Sequence, residues 1–196
     1  MLKNKKIGFC ITGSFCSLNN MLKVLGDLND YHVDIYVFIS NSIKEYDTRF
    51  YKSSELISKI EKIINKKVID SLVESEKFGP IIPLDIVLVY PCSGNTLAKI
   101  ANGINDNAVT MVVKATIRNN KNIVLGVCSN DVLSNSGVNL MKILNTKHFY
   151  LVPMYQDDII NKPCSMISDN SLVIQAIVNA LNDKQIQPIF NLGNLQ

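Results

Sequence analysis

The chain has 196 residues, 47% of them hydrophobic, and a net charge of +3 from 20 basic and 17 acidic side chains. This length favours one domain over residues 1–190 with a loose tail at 191–196, and the interspersed charges exclude a basic stripe that binds a nucleic-acid backbone. The apolar runs are far shorter than the roughly 20 residues of a membrane-spanning helix, and we expect no secretion signal and a cytoplasmic location.

Five cysteines favour a reducing compartment. Their number is odd and no two of them form a C-x-x-C pair, so we expect neither a disulfide framework nor a metal site. The five are Cys10, Cys16, Cys92, Cys128 and Cys164. Cys164 is interpreted as a spare loop thiol.

Taken in chain order, the hydrophobic pattern predicts strands that alternate with helices. The predicted elements are a strand at 5–12, a helix at 19–28, a strand at 31–39, a helix at 53–65, a strand at 84–90, helices at 96–105 and 108–117, a strand at 122–128, a helix at 139–144, a strand at 149–152 and a helix at 171–181. Near-continuous apolar strands are typical of a parallel sheet covered on both faces. The pattern therefore predicts an α/β fold with a mostly parallel sheet between helices.

Small polar residues follow successive strands of this predicted sheet. Because ligands of open parallel sheets bind at the carboxyl ends of the strands, these residues form a candidate phosphate site. They are Gly13 and Ser14 after the first strand, Ser40 after the second, and Ser93, Gly94, Asn95 and Thr96 after the third. Each alone is also an ordinary turn or cap residue. The chain has neither G-x-G-x-x-G nor G-x-x-x-x-G-K-[ST], which favours a mononucleotide over a dinucleotide or a nucleoside triphosphate.

The segment 91–107 begins Pro-Cys-Ser-Gly-Asn-Thr. It resembles the Pro-Ala-Ser-Ala-Asn-Thr segment and the following helix of the flavoprotein family, which includes phosphopantothenoylcysteine decarboxylases, lantibiotic cysteine decarboxylases and UbiX-type prenyltransferases. The resemblance implies a three-layer α/β/α Rossmann-like fold and a homo-oligomer, a trimer or a multiple of it, that holds FMN at a subunit interface. It assigns the small polar residues named above to FMN and substrate. It also places Met154 at a Pro-x-Met-Asn element, where Tyr155 replaces the Asn.

Further segments, at 47–50, 114–120, 144–147, 152–158 and 184–188, resemble one branch of this family, the B subunits of dipicolinate synthases of spore-forming bacteria. The resemblance extends over about residues 5–188. It implies a partner, the A subunit, that binds NAD(P), and a shared oxidation of a dihydrodipicolinate-type dicarboxylate to dipicolinic acid in the mother cell of a sporulating bacterium.

Three cations are candidates for holding the two carboxylates of such a substrate, because arginine in particular matches a carboxylate with two hydrogen bonds. They are Arg49, Lys99 and Arg118. For Arg49 the alternative is a surface ion pair with Asp47 or Glu55.

Two other functions remain open. One is an FMN-dependent decarboxylase or transferase that acts alone, although 40–56 lacks the histidine that cysteinyl decarboxylases carry there. The other is a non-catalytic flavin-binding scaffold for the partner. We expect His32 and His148 to be structural or solvent-facing, which leaves the catalytic acid or base unassigned.

Overall fold

The computed structural model describes residues 2–191, and within them a seven-stranded sheet separates two layers of helices. The strands are β1 (Lys6–Ile11), β2 (Asp34–Ile39), β3 (Ile86–Cys92), β4 (Asn122–Ser129), β5 (Phe149–Leu151), β6 (Met154–Tyr155) and β7 (Met166–Ser168). The helices are α1 (Leu18–Asn29), α2 (Asn41–Glu45), α3 (Ser53–Ile64), α4 (Leu72–Glu76), α5 (Gly94–Ala101), α6 (Ala108–Arg118), α7 (Gly137–Leu144) and α8 (Val173–Ala180). Short 3₁₀ turns at Phe15–Ser17 and Asn170–Leu172 precede α1 and α8.

The first four strands are parallel in the order β2-β1-β3-β4. The amino-terminal half of β4 pairs with β5, also in parallel, through Ile123 opposite Phe149. The carboxyl end of β4 pairs instead with the antiparallel β7, which in turn pairs with β6. The sheet is thus mostly parallel, as predicted, with a short antiparallel extension.

Every residue of β3 is buried, which shows that side chains from the helices cover both faces of the sheet at this strand. One core cluster joins the sheet to α1, α3 and α8, through residues such as Leu25, Ile60 and Ile177. The other joins it to α5, α6 and α7, through residues such as Leu97 and Val112. This arrangement confirms the three-layer α/β/α fold.

The predicted long elements are all present, with shifted ends. The second strand begins at Asp34 rather than at 31, because His32 adopts a left-handed backbone conformation with φ 55°. The helix predicted at 96–105 begins at Gly94 and ends at Ala101, since Gly103 has φ +70° and cannot continue it. The short elements α2, α4, β6 and β7 were not predicted, because two to five residues carry too little periodicity.

The predicted tail, 191–196, lies outside the described residues apart from Asn191, whose N–H donates to the Met154 carbonyl. A single domain over 1–190 stays a prediction. Within residues 2–191, no helix has the length and apolar character needed to cross a membrane.

Candidate functional site

Two adjoining cavities lie at the carboxyl ends of the parallel strands, where the sequence predicted a ligand site. The first has a volume of about 290 Å³ and is lined by Gly13, Ser14, Phe15, Cys16, Arg49, Phe50, Ser93, Cys128, Ser129 and Asn130. The second has a volume of about 220 Å³ and is lined by Ser40, Asn41, Ser42, Glu45, Tyr46, Asn95, Thr96, Lys99, Asp106 and Asn107. Six of the seven predicted cofactor residues therefore line one cavity or the other.

The two cavities share a wall. A Cβ placed on Gly13 would lie 3.0 Å from the Cβ of Ser42, so the turn after β1 packs directly against α2. On the other side, Ser93 of the first cavity caps α5 by accepting a hydrogen bond from the N–H of Thr96, which lines the second cavity. The predicted residues are thus brought together from three strand ends.

Thr12, the last residue before the first turn, connects that turn to β3. Its Oγ1 donates to the Pro91 carbonyl over 2.7 Å and accepts from the Ser93 N–H over 2.9 Å. Both bonds connect the carboxyl ends of the neighbouring strands β1 and β3. They hold Ser93 in a defined position next to Gly13.

The amino end of α5 offers free donors. Ser93 satisfies the N–H of Thr96 with its side chain and that of Leu97 with its carbonyl. The N–H groups of Gly94 and Asn95 have no acceptor within residues 2–191. Backbone N–H groups at a helix amino terminus attract anions, so this end of α5 can hold a negatively charged or electron-rich group.

Gly94 itself does not line either cavity, and its role is steric. A Cβ at this position would lie 2.7 Å from the Oγ of Ser129 and 2.9 Å from both the Asp131 Oδ1 and the Ser136 Oγ. Only a glycine lets α5 approach the end of β4 this closely.

Ser40 has a buried hydroxyl without a partner. The residue is 6% exposed, its N–H donates to Ile11 and its carbonyl accepts from Ile43 and Lys44. Its Oγ, however, forms no hydrogen bond and does not cap α2. Because a buried unpaired hydroxyl costs roughly 1–3 kcal/mol, this orphan at the edge of the second cavity calls for a ligand acceptor.

Lys99 provides the positive charge of the second cavity. Its Nζ lies 2.6 Å from the Asp106 Oδ2, and this hydrogen bond holds the pKa of the Asp106 carboxyl below its usual value. Lys99 lies within α5, whereas Asp106 lies beyond the end of this helix.

Arg49 provides the positive charge of the first cavity. Its guanidinium lies over the Phe50 ring at 4.8 Å from the ring centre. Within residues 2–191 it forms no ion pair with Asp47 or Glu55, and the Asp47 Oδ1 instead accepts from the Ser53 N–H. The surface ion pair considered as the alternative is absent from this part of the chain.

Two other predicted substrate residues are not brought to the cavities. Arg118 is the exposed last residue of α6, just before β4 begins at Asn122, so it lies at the opposite edge of the sheet. Met154 is 0% exposed and belongs to the core cluster on the side of the sheet that α5, α6 and α7 cover. Within one chain, neither side chain has access to a ligand in these cavities.

The histidines also lie at the opposite edge. His32 precedes β2 and His148 precedes β5, where its Nδ1 shares a 2.9 Å hydrogen bond with the Asn122 Oδ1. Neither lines either of the two cavities described above, which agrees with their expected structural or solvent-facing roles.

Sequence reasoning missed the end of β4. Ser129 and Asn130 line the first cavity, and Asp131 next to them accepts hydrogen bonds from the hydroxyls of Ser129 and Ser136 over 2.6 and 2.8 Å. The signal was available, since this polar run follows an apolar strand in the same way as Ser40 does.

Two cysteines were missed as well. Cys16 lines the first cavity and is exposed, whereas Cys128 is buried, and burial raises the pKa of its thiol to about 11. Cys128 is therefore a neutral, apolar part of the cavity wall at physiological pH. With Phe15 and Phe50, the two sulfur side chains make the first cavity the more apolar one.

Comparisons with known proteins agree with this geometry. The family model described as Flavoprotein matches residues 1–184. The chain is 39% identical over 188 residues to the B subunit of dipicolinate synthase of Bacillus subtilis (strain 168), a match that covers 96% of this chain and 94% of that protein.

Solved structures share the fold. The crystal structure of the B subunit of dipicolinate synthase from Bacillus halodurans C has a TM-score of 0.89 at 36% identity and covers 97% of both chains. AnUbiX (PadA1), solved in complex with FMN and dimethylallyl pyrophosphate, has a TM-score of 0.63 at 18% identity and covers 95% of this chain and 98% of that chain, which shows a shared fold alone. Because the family model matches residues 1–184 and both the Bacillus subtilis and the Bacillus halodurans B subunits are similar over nearly the whole chain, the chain belongs to the flavoprotein family.

Proposed function

We propose that the two cavities together bind FMN and that the chain works as the flavin-binding B subunit of a dipicolinate synthase. Similarity to the Bacillus subtilis protein over 96% of the chain supports the second part. The observation that carries the first part is the buried, unpaired hydroxyl of Ser40 beside a lysine in a polar cavity.

The size of the cavities supports a ligand that fills both. Small-molecule sites usually measure about 300–1,000 Å³, and each cavity alone is at or below the lower limit. Because the two cavities adjoin at Gly13 and Ser93, the proposal is that one elongated molecule occupies both. A mononucleotide with a large ring system has this shape.

The chemistry of the linings gives the orientation. In the second cavity, the Ser40 hydroxyl can donate to a phosphate, and the Lys99 ammonium group, which also pairs with Asp106, supplies a positive charge in a lining that includes Glu45. In the first cavity, Phe15, Phe50 and the neutral Cys128 offer apolar surface to a flat ring. We therefore place the phosphate in the second cavity and the isoalloxazine ring in the first.

The proposed reaction aromatises a six-membered nitrogen ring by removing two electrons, and a bound flavin supplies a ring system that accepts them as a hydride. The chain's own part is to bind and orient. Arg49 stands free in the first cavity and can form two hydrogen bonds to one carboxylate of the substrate. The apolar wall beside it, formed by Phe15, Phe50 and Cys128, offers a surface for the reacting ring to pack against.

Further elements of the proposal follow the resemblance to dipicolinate synthases. They are a partner A subunit that carries NAD(P), a homo-oligomer that is a trimer or a multiple of it with FMN at the subunit interface, and a cytoplasmic location in the mother cell.

The test combines a spectrum with an activity assay. The purified chain, titrated with FMN, is expected to give flavin absorption bands shifted from those of free FMN, and dipicolinate should form only with the co-expressed A subunit. If Ser93→Ala and Asn95→Ala abolish flavin binding while the complex stays active, the chain is a scaffold. Activity of the chain without any partner would point to a decarboxylase or transferase.

Substitutions of two arginines test the substrate site. Arg49→Ala removes a charge-assisted contact of roughly 1.5–3 kcal/mol, so kcat/KM of the complex should fall by about 10- to 100-fold. Arg118→Ala, at the opposite edge of the sheet, is the matched control and should leave kcat/KM unchanged. Equal turnover and substrate affinity for Arg49→Ala and the unaltered complex would contradict the assignment.

A further inference from the structure

The carboxylate of Asp131 is held at the end of β4 by two hydroxyl groups. Its Oδ1 accepts from the Ser129 Oγ over 2.6 Å and its Oδ2 accepts from the Ser136 Oγ over 2.8 Å. Both oxygens of the carboxylate are thus engaged. The hydrogen bond from Ser129 is the larger cause of a lowered pKa for Asp131, so the group is ionised at neutral pH.

An ionised carboxylate accepts hydrogen bonds and donates none. The single proton of the Ser129 hydroxyl must therefore point at Asp131. A serine oxygen also has two lone pairs that accept hydrogen bonds, and these remain available on the side away from Asp131. Since Ser129 lines the first cavity, its hydroxyl can serve a ligand there only as an acceptor.

Ser129 and Asp131 lie close to the amino end of α5. The α-carbon of Gly94 is so close that a Cβ on it would lie 2.7 Å from the Ser129 Oγ and 2.9 Å from the Asp131 Oδ1. The amino end of α5 therefore covers this pair of side chains. The hydrogen bond to Asp131 therefore sets the direction of the Ser129 hydroxyl proton before a ligand binds.

We infer that Asp131 is a positioning residue that makes Ser129 an obligate hydrogen-bond acceptor in the first cavity, and that Ser129 there receives an N–H group of the ligand. This inference rests on the proposed function. Oxidised isoalloxazine has one ring N–H, at N3, on the polar edge of an otherwise apolar ring system. The structure thus assigns Ser129 to the recognition of N3–H and Asp131 to the orientation of Ser129.

The experiment measures dissociation constants of FMN and of 3-methyl-FMN, in which a methyl group replaces the N3 hydrogen. Loss of one hydrogen bond, worth roughly 1 kcal/mol, plus a steric conflict should weaken binding of the methylated flavin to the unaltered protein by about tenfold or more. In Ser129→Ala the acceptor is gone and space for the methyl group is created. The ratio of the two constants should therefore fall to about 1, and FMN itself should bind about tenfold more weakly.

Variants of Asp131 test its part separately from the fold. Asp131→Ala should lower the discrimination against 3-methyl-FMN in the otherwise unaltered protein and should have no further effect in a Ser129→Ala background, because the two residues act through one contact. Asp131→Asn keeps an acceptor oxygen for the Ser129 proton and should retain most of the discrimination. Ser134→Ala is the matched control, since Ser134 donates only to the Asp131 backbone carbonyl.

The outcomes separate this inference from the proposed function. Tight and equal binding of both flavins by the unaltered protein would overturn the inference and leave the flavin site standing. Discrimination that persists in Ser129→Ala would overturn it as well, because another group would then contact N3. If neither FMN nor 3-methyl-FMN binds, both the inference and the proposed function are overturned.

Discussion

Ser40 gives the sharpest prediction, because one substitution should change stability and binding in opposite directions. In the ligand-free protein the Ser40 hydroxyl is buried without a partner and does not cap α2. Ser40→Ala removes this unpaired group and no hydrogen bond, so the free energy of unfolding should rise by about 1 kcal/mol. With FMN, the same change removes a donor to the phosphate, worth roughly 1.5–3 kcal/mol, and affinity should fall by about 10- to 100-fold.

Urea denaturation of the ligand-free protein measures the first effect, and titration with FMN measures the second. The matched control is Thr116→Val, since the Thr116 Oγ1 is the other buried side-chain oxygen without a partner among residues 2–191 and lies in α6, away from both cavities. Thr116→Val should also stabilise the ligand-free protein, but its affinity for FMN should equal that of the unaltered protein.

Two results would refute this reasoning at different steps. A loss of stability in ligand-free Ser40→Ala would mean that the hydroxyl is not an unpaired group. A gain in stability with unchanged affinity would mean that the hydroxyl is unpaired but that the phosphate binds elsewhere.

Three further predictions concern the two cavities and their supports. Gly94→Ala brings a methyl group to 2.7 Å from the Ser129 Oγ and should lower the free energy of unfolding by about 1–3 kcal/mol. Gly26→Ala is the control, because a methyl group there has no neighbour within 4 Å and should raise the free energy of unfolding. Urea denaturation of both variants measures these changes, and equal effects of the two would contradict the close contact at Gly94. Because its hydrogen bonds lower the pKa of Asp131, this carboxylate stabilises the fold above its unfolded-state pKa of about 4, and the contribution is lost as the pH falls through the lowered folded-state pKa. The stability difference between the unaltered protein and Asp131→Asn should therefore shrink on acidification, and a constant difference would contradict the assigned contacts. Cys16 is exposed in the first cavity, so bound FMN should slow the alkylation of its thiol by iodoacetamide. Mass spectrometry of the labelled peptide measures the rate of alkylation. An unchanged rate would mean that the isoalloxazine ring does not occupy the first cavity.

The fold was predictable from local patterns. The apolar runs of β3 and β4 require cover on both faces, and this requirement leads to a parallel sheet between two helical layers. Residues that end such strands meet at one edge because parallel strands point the same way. The placement of Ser40 and Ser93 in adjoining cavities follows from that rule. The same rule also explains the position of Ser129, which was not predicted from the sequence.

Chain direction explains where Arg118 lies. Arg118 ends the helix that leads into β4, so it arrives at the amino end of the sheet, opposite the cavities. Met154 was placed by resemblance in a binding element, but β6 joins the short antiparallel extension and the side chain turns into the core. Its environment depends on pairing with β7, a partner of three residues that carries no detectable pattern.

By itself, then, the sequence determined the layers, the order of the long elements and the edge at which polar residues gather, because hydrophobic periodicity and parallel strand direction are local properties. Tertiary structure alone decided which groups lack partners and which ones touch. The orphan hydroxyl of Ser40, the freedom of Arg49 from its acidic neighbours and the contact of Gly94 with Ser129 all depend on distances between segments that are remote in the chain. Such distances are set by side-chain packing between helices and strands, which no pattern within a single segment records.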